Sequence, residues 1–211
     1  VITDPTQGDF YRYLSPGTYS LTISASGYPD KTINGIVVNA NTATQLSVIM
    51  GELPHYQQIS LAPGWNLLSF NVDLGTNNFS SVFGSNLLQI KDTAKSYAPA
   101  MPTYFNTLSS LQSAFGYWVN NSSAQNLSIQ GQLLNTANYP VALNTGWNLV
   151  PYLPDNSLPV PDAIASILSK TQEVRYLSSV WKSSAGGTLS VLEPGKAYWI
   201  KVSEPCQLLY P

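Results

Sequence analysis

The chain has 211 residues, enough for one large domain or two to three small ones, and its hydrophobic fraction of 44% suits packed cores. Charged residues make up only 9%, roughly a third of the ~25% usual in soluble domains; Asn, Ser, Thr and Tyr supply the polar surface, which suits extracellular or cell-surface assembly. A formal net charge of -2 with scattered basic residues makes nucleic acid and anionic membrane poor candidates as partners, and no apolar run reaches the ~18 residues needed for membrane insertion, so neither nucleic-acid binding nor insertion is expected.

Residues 10 to 50 alternate with the two-residue period of half-buried strands. Phe10, Arg12 and Leu14 lead to a turn at Ser15-Pro16-Gly17, after which Tyr19, Leu21 and Ile23 share one face and Ser20, Thr22 and Ser24 the other. A second turn signal, Gly27-Tyr28-Pro29-Asp30, precedes Ile33, Ile36 to Val38, Leu46, Val48 and Met50, so about four short strands are expected. Residues 51 to 55, with Pro54, read as a linker.

Beyond the linker the chain says one thing twice. Gly64-Trp65-Asn66-Leu67-Leu68 recurs as Gly146-Trp147-Asn148-Leu149-Val150, and Gly116-Tyr117-Trp118-Val119 as Ala197-Tyr198-Trp199-Ile200, at offsets of 81 to 82 residues. Residues 56–131 and 138–211 therefore read as tandem copies of one β-rich module. Each begins with a predicted hairpin: Ile59 and Leu61 turn at Pro63-Gly64 into the strand from Trp65, and Val141 and Leu143 turn at Thr145-Gly146 into the strand from Trp147. A short helix is expected at 80–85 and at 161–169, where Pro161 and Asp162 supply a helix start. Strands near Leu87 to Ile90 and Val174 to Leu177 follow, then the Tyr-Trp strands, then last strands containing Leu127 and Ile129 or Leu208 and Tyr210.

Trp65, Trp118, Trp147 and Trp199 hold equivalent repeat positions and are expected in the module cores. Trp181, with Tyr97, Tyr104 and Tyr176, has no such place and could form a stacking platform for sugars. The only histidine, His55, is expected to be solvated or locally hydrogen-bonded, and Asp73, Asp92, Asp155 and Asp162 to serve turns or caps. With one histidine and one cysteine, no transition-metal site, cofactor or nucleophilic triad is expected. Cys206 reads as a small buried residue of the last strand, with an intermolecular bridge as the alternative.

Thr3-Asp4-Pro5, Gly8-Asp9-Phe10-Tyr11-Arg12-Tyr13-Leu14, Pro16-Gly17-Thr18-Tyr19 and Ala25-Ser26-Gly27-Tyr28 form a string that resembles the transthyretin-like β-sandwich of secreted zinc metallocarboxypeptidases of the carboxypeptidase N and E type. The tandem module is similar, more loosely, to Gly-Trp-Asn-Leu repeats of bacterial surface and secreted proteins. The resemblance implies a mainly β chain: a partial transthyretin-like sandwich over 1–52, then two modules each with a short helix. It implies no catalysis, because the family's zinc site needs His-x-x-Glu and a distant His that this sequence lacks. The chain, opening on Val1, reads as a piece of a longer precursor.

A sandwich entered at its later strands leaves an apolar face uncovered. About 500 Å² of such surface is worth on the order of 12 kcal/mol at ~25 cal/mol per Å². The rest of the precursor, the repeat modules, or the same segment of another copy through strand addition could cover it. The expected assembly face is Phe10, Tyr11, Leu14, Tyr19, Leu21 and Ile23, giving a homo-oligomer or polymer; the alternative is a module that anchors to polysaccharide or a cell surface.

Overall fold

The computed structural model describes residues 10–25, 28–51, 55–75 and 78–211. Motif residues 3–5, 8–9 and 26–27, and linker residues 52–54, lie outside the described residues. The chain divides into two compact units, Val1–Leu53 and Pro54–Pro211. It is mainly β, with several sheets and a few short helices.

The first unit contains an antiparallel ribbon, β1 (Gly17–Ile23) and β2 (Lys31–Val38), in which Tyr19 faces Ile36 and Leu21 faces Ile33. The described residues hold these two strands rather than the expected four. Leu46, Val48 and Met50 alternate in sequence, but their backbone joins no ladder. Residues 44–49 are tied to the ribbon instead by the Thr44 hydroxyl donating to Val37 O (2.8 Å) and the Lys31 ammonium donating to Ile49 O (2.7 Å). Alternation without a neighbouring strand does not make a strand.

In the second unit, β3 (His55–Leu61) is followed at once by β4 (Gly64–Ser69). Then come α1 (Phe79–Phe83), β5 (Leu87–Lys91), β6 (Ser96–Tyr97), β7 (Gly116–Asn121) and β8 (Gln125–Gly131). The Asn78 side chain caps α1 by accepting the Ser80 N–H at 2.9 Å. The strands form two sheets, β3-β8 and β4-β7-β5-β6. The expected hairpin is therefore a corner: β3 pairs with β8 along its length, and β4 with β7. Gly64 takes φ +86°, and the Asn66 side chain locks the bend by accepting the Ala62 N–H (2.9 Å) and donating to Ala62 O (2.8 Å) and Gly64 O (2.9 Å). With its backbone groups satisfied locally, the turn passes the chain from one sheet to the other. Between the sheets lie Ile59, Leu61 and Leu127 from one side, Leu68, Tyr117, Val119 and Ile90 from the other, and Phe79 and Phe83 of α1.

The remaining residues form β9 (Val141–Leu143), β10 (Gly146–Pro151), β11 (Leu158–Pro159), α2 (Val160–Ala163), β12 (Thr171–Tyr176), β13 (Ser179–Lys182), β14 (Gly186–Gly187), β15 (Val191–Leu192), β16 (Ala197–Val202) and β17 (Cys206–Leu208). The second expected hairpin is also a corner, because β9 pairs with β17 and β10 with β16. Gly146 has φ +95°, and Asn148 makes the same three bonds, to Asn144 N (2.9 Å), Asn144 O (2.7 Å) and Gly146 O (3.1 Å). Registers match as well: Gly64 faces Asn121 and Leu67 faces Trp118, as Gly146 faces Val202 and Leu149 faces Trp199. The expected helix 161–169 is shorter, since Ile164 leaves helical geometry (φ -109°, ψ 21°) and residues Ala165–Lys170 continue as a 3-10 turn. Leu143, Val150, Tyr198, Ile200, Val174, Leu208 and Ile167 fill the second core.

Candidate functional site

Two surfaces of the molecule are unusual. The first is the N-terminal ribbon, where no described residue between 10 and 51 is buried. Tyr19, Leu21 and Ile23 of β1, with Ile33, Ile36 and Val38 of β2, are half-buried on one face while their neighbours are exposed. The Tyr19 hydroxyl donates to Ser15 O at 2.8 Å, tying the incoming chain to the strand. Phe10, Tyr11 and Leu14 do not share this face, because they precede β1 in irregular chain; all three are exposed, Tyr11 at 89%. The six expected assembly residues thus divide into three on the ribbon and three on the segment leading into it.

The second surface carries four tryptophans. Trp65 and Trp147 are 39% and 41% exposed, and Trp118 and Trp199 are half-buried. None belongs to the cores, contrary to the expectation from their repeat positions. The reason is strand parity. In each Tyr-Trp strand one ring must point inward and the other outward, and here Tyr117 and Tyr198 take the core at 1% exposure. Each inward hydroxyl accepts a backbone N–H at 2.8 Å, from Gln112 and Glu193 respectively. Burial pushes Tyr117 up to about 12, and burial raises Tyr152, Tyr176, Tyr198 and Tyr210 as well.

The tyrosines and tryptophan expected to stack on sugars are mostly turned inward. Trp181 pairs with buried Val174, and both it and Tyr176 pack against the second core. Tyr97 stacks on Phe79 at 4.2 Å between ring centres. Tyr104 alone is open, at 79% exposure, and touches Phe105. These four form no common platform.

A sequence signal for the outward tryptophans does exist: Lys201 shares parity with Trp199, and Asn120 with Trp118, while the other parity is Tyr198, Ile200 and Val202 on one strand and Tyr117 and Val119, followed by Asn121, on the other. Trp65 and Trp118 meet edge to face at 6.1 Å. Lys91 Nζ lies 4.8 Å from the Trp65 ring centre and the Arg175 guanidinium 5.3 Å from that of Trp147.

The second unit's two sheet systems join beside these rings. A Cβ on Gly116 would lie 3.0 Å from Leu149 Cγ and 3.1 Å from Ala197 Cβ. The buried Ser69 hydroxyl donates to Lys196 O (2.7 Å) and accepts the Tyr152 N–H (3.1 Å). His55 opens β3 rather than lying in a linker, and its Nε2 stands 2.9 Å from Asp155 Oδ1. Hydrogen bonds among the described residues place no serine or cysteine on it. Asp92 and Asp73 close turns by accepting the Ala94 N–H (2.7 Å) and the Gly75 N–H (3.3 Å). Cys206 is free and half-buried. Among the described residues no three of His, Cys, Asp and Glu gather to hold a metal ion, and no helix is long and apolar enough to cross a membrane.

Folds and surfaces of this kind define a mainly β protein with small two-sheet cores and outward aromatic faces. No protein-family profile matches the chain, and no solved structure matches it. It is 32% identical over 105 residues to carboxypeptidase D of Homo sapiens, an alignment covering 50% of this chain and 7% of that protein. It is 38% identical over 68 residues to carboxypeptidase D of Mus musculus and of Rattus norvegicus, covering 30% of this chain and 5% of each. The chain thus spans less than a tenth of the length of the curated relatives it matches. Part of it is similar to part of carboxypeptidase D.

Proposed function

We propose that this chain is a non-catalytic, extracellular interaction region that assembles with its own copies through the N-terminal ribbon. The carrying observation is the ribbon itself: two strands with an apolar face from which no side chain is fully withdrawn from water. A two-stranded ribbon alone is marginally stable in water, so further strands must complete it. Among the described residues β1 pairs only with β2, so that on this reading the second edge of Gly17–Ile23 is the one offered to strand addition. A second copy presents the same edge and the same face. Low charge density favours such packing.

On this reading the first 52 residues belong to a transthyretin-like sandwich, and residues 56–131 and 138–211 are copies of one module. The shared register and the paired Asn66 and Asn148 locks support the duplication. The partial similarity to carboxypeptidase D supports a non-catalytic region associated with a peptidase.

Analytical ultracentrifugation over a concentration series tests the assembly. The chain is expected to associate, and Leu21→Lys or Ile33→Lys to return it to monomer. A wild-type monomer whose amides at 17–38 exchange slowly would show a self-sufficient ribbon and end the proposal.

A further inference from the structure

We propose that the tryptophan-lined cleft of the second unit binds an acidic polysaccharide, its sugar rings stacking on the indoles and its carboxylates meeting the lysines alongside. Trp118 and Trp199, from different halves, line one groove of about 370 Å³ together with Lys91, Asp92, Lys95 and Ser96. Contact of Gly116 with Leu149 and Ala197 brings the two sheets together two residues from each indole. Trp65 extends the aromatic surface on one side, edge-on to Trp118, and on the other sheet Trp147 shares the outward face of Trp199, one strand away and opposite Lys201. A groove where two halves of a unit meet is a common place for ligands.

Charge selects the occupant. The chain carries a net charge of -2, yet the face holding these rings gathers Lys91, Lys95, Arg175, Lys182 and Lys201. Strand register places Lys201 and Lys182 on the same side as Glu173, opposite the core. The acids there are already engaged: Asp92 accepts the Ala94 and Lys95 N–H groups, and Glu173 is paired with Arg175. Lys95, Lys182 and Lys201 make no ion pair among the described residues. An acidic chain that displays unpaired cations beside aromatic rings is complementary to an anion with a flat apolar face.

A uronate polymer has that character: each ring offers C–H faces for stacking and at most one carboxylate. Single-stranded nucleic acid fits less well, since a phosphate at every residue calls for a groove of continuous positive charge, whereas Asp92 and Glu173 interrupt this one.

Titrating the full chain with polygalacturonate oligosaccharides, while following tryptophan fluorescence and heat, tests the proposal. Neutral cello-oligosaccharides and oligothymidine serve as parallel probes. Expected are a fluorescence change and saturable binding with the uronate, weakened by salt. Lys95→Glu with Lys201→Glu should lower affinity about ten-fold or more while the melting temperature holds, and Trp118→Ala should abolish binding. No uronate binding, equal binding of the neutral sugar, preference for oligothymidine, or an unchanged lysine variant would each overturn it. The lysines lie on the surface, so their result stands even if Trp118→Ala impairs folding. Assembly through the ribbon is read separately by sedimentation, so failure of one proposal is distinct from failure of the other.

Discussion

Ser69 and Lys196, 127 positions apart, are joined by a buried hydrogen bond: the Ser69 hydroxyl donates to the Lys196 carbonyl at 2.7 Å. The same hydroxyl oxygen accepts the Tyr152 N–H at 3.1 Å, so one side chain serves two backbone groups of the opposite half. Ser69→Ala removes both partners at a site with no exposure. A loss of about 1–3 kcal/mol is expected, lowering the melting temperature by several degrees in calorimetry. An unchanged melt would mean that the Ser69 hydroxyl adds nothing to the other contacts between the halves, such as the Ser69 N–H donating to Gly195 O.

The corner locks should differ in worth. Asn66 is 6% exposed and completes three bonds out of water, whereas Asn148 completes the same three nearer solvent. Asn66→Ala is expected to cost about 2–3 kcal/mol and Asn148→Ala about 1 kcal/mol, measured as midpoints of urea unfolding.

Gly131 ends β8 where another strand of backbone passes close. An added Cβ would lie 2.0 Å from Asp73 O, and a carbonyl cannot swing aside as a flexible side chain can. Gly131→Ala should therefore destabilise by roughly 3 kcal/mol or more. Gly51→Ala, whose Cβ meets nothing within 4 Å, is the neutral control. Equal stability of the two variants would count against the packing described at this edge.

Alkali should unfold the second unit. Tyr117 is raised to about 12, and burial raises Tyr152, Tyr176, Tyr198 and Tyr210 too, while an unfolded tyrosine ionises near 10.0. Raised folded values mean that stability is whole below pH 10 and falls as pH climbs toward 12 and beyond. The share of tyrosinate absorbance that belongs to these five rings should appear together with loss of circular dichroism rather than before it. Early ionisation of these tyrosines in a folded chain would contradict the burial.

Much of the second unit was legible because its landmarks are local. Gly-Trp-Asn marked both corners and the Tyr-Trp pairs marked both central strands, since turn residues and alternation are written in adjacent positions. Pairing was not legible: a turn at Pro63-Gly64 looks the same whether the next strand folds back or crosses to a second sheet. Parity was misread for a related reason. Equivalence of Trp118 and Trp199 says that both play one part, not that the part is internal, and the cue lay in Lys201 two residues beyond. At the N-terminus, the alternation at Leu46, Val48 and Met50 suggested strands that only a neighbour could have made.

The corners carry a consequence for synthesis. Because β3 waits for β8 and β9 waits for β17, neither half can close on nascent chain until its final segment has left the ribosome. Contacts so distant in sequence slow the search for the native state. A stop or nick just before Cys206 would leave Leu143 without its partner strand, and quality control would meet a half-made second core beside a finished first one.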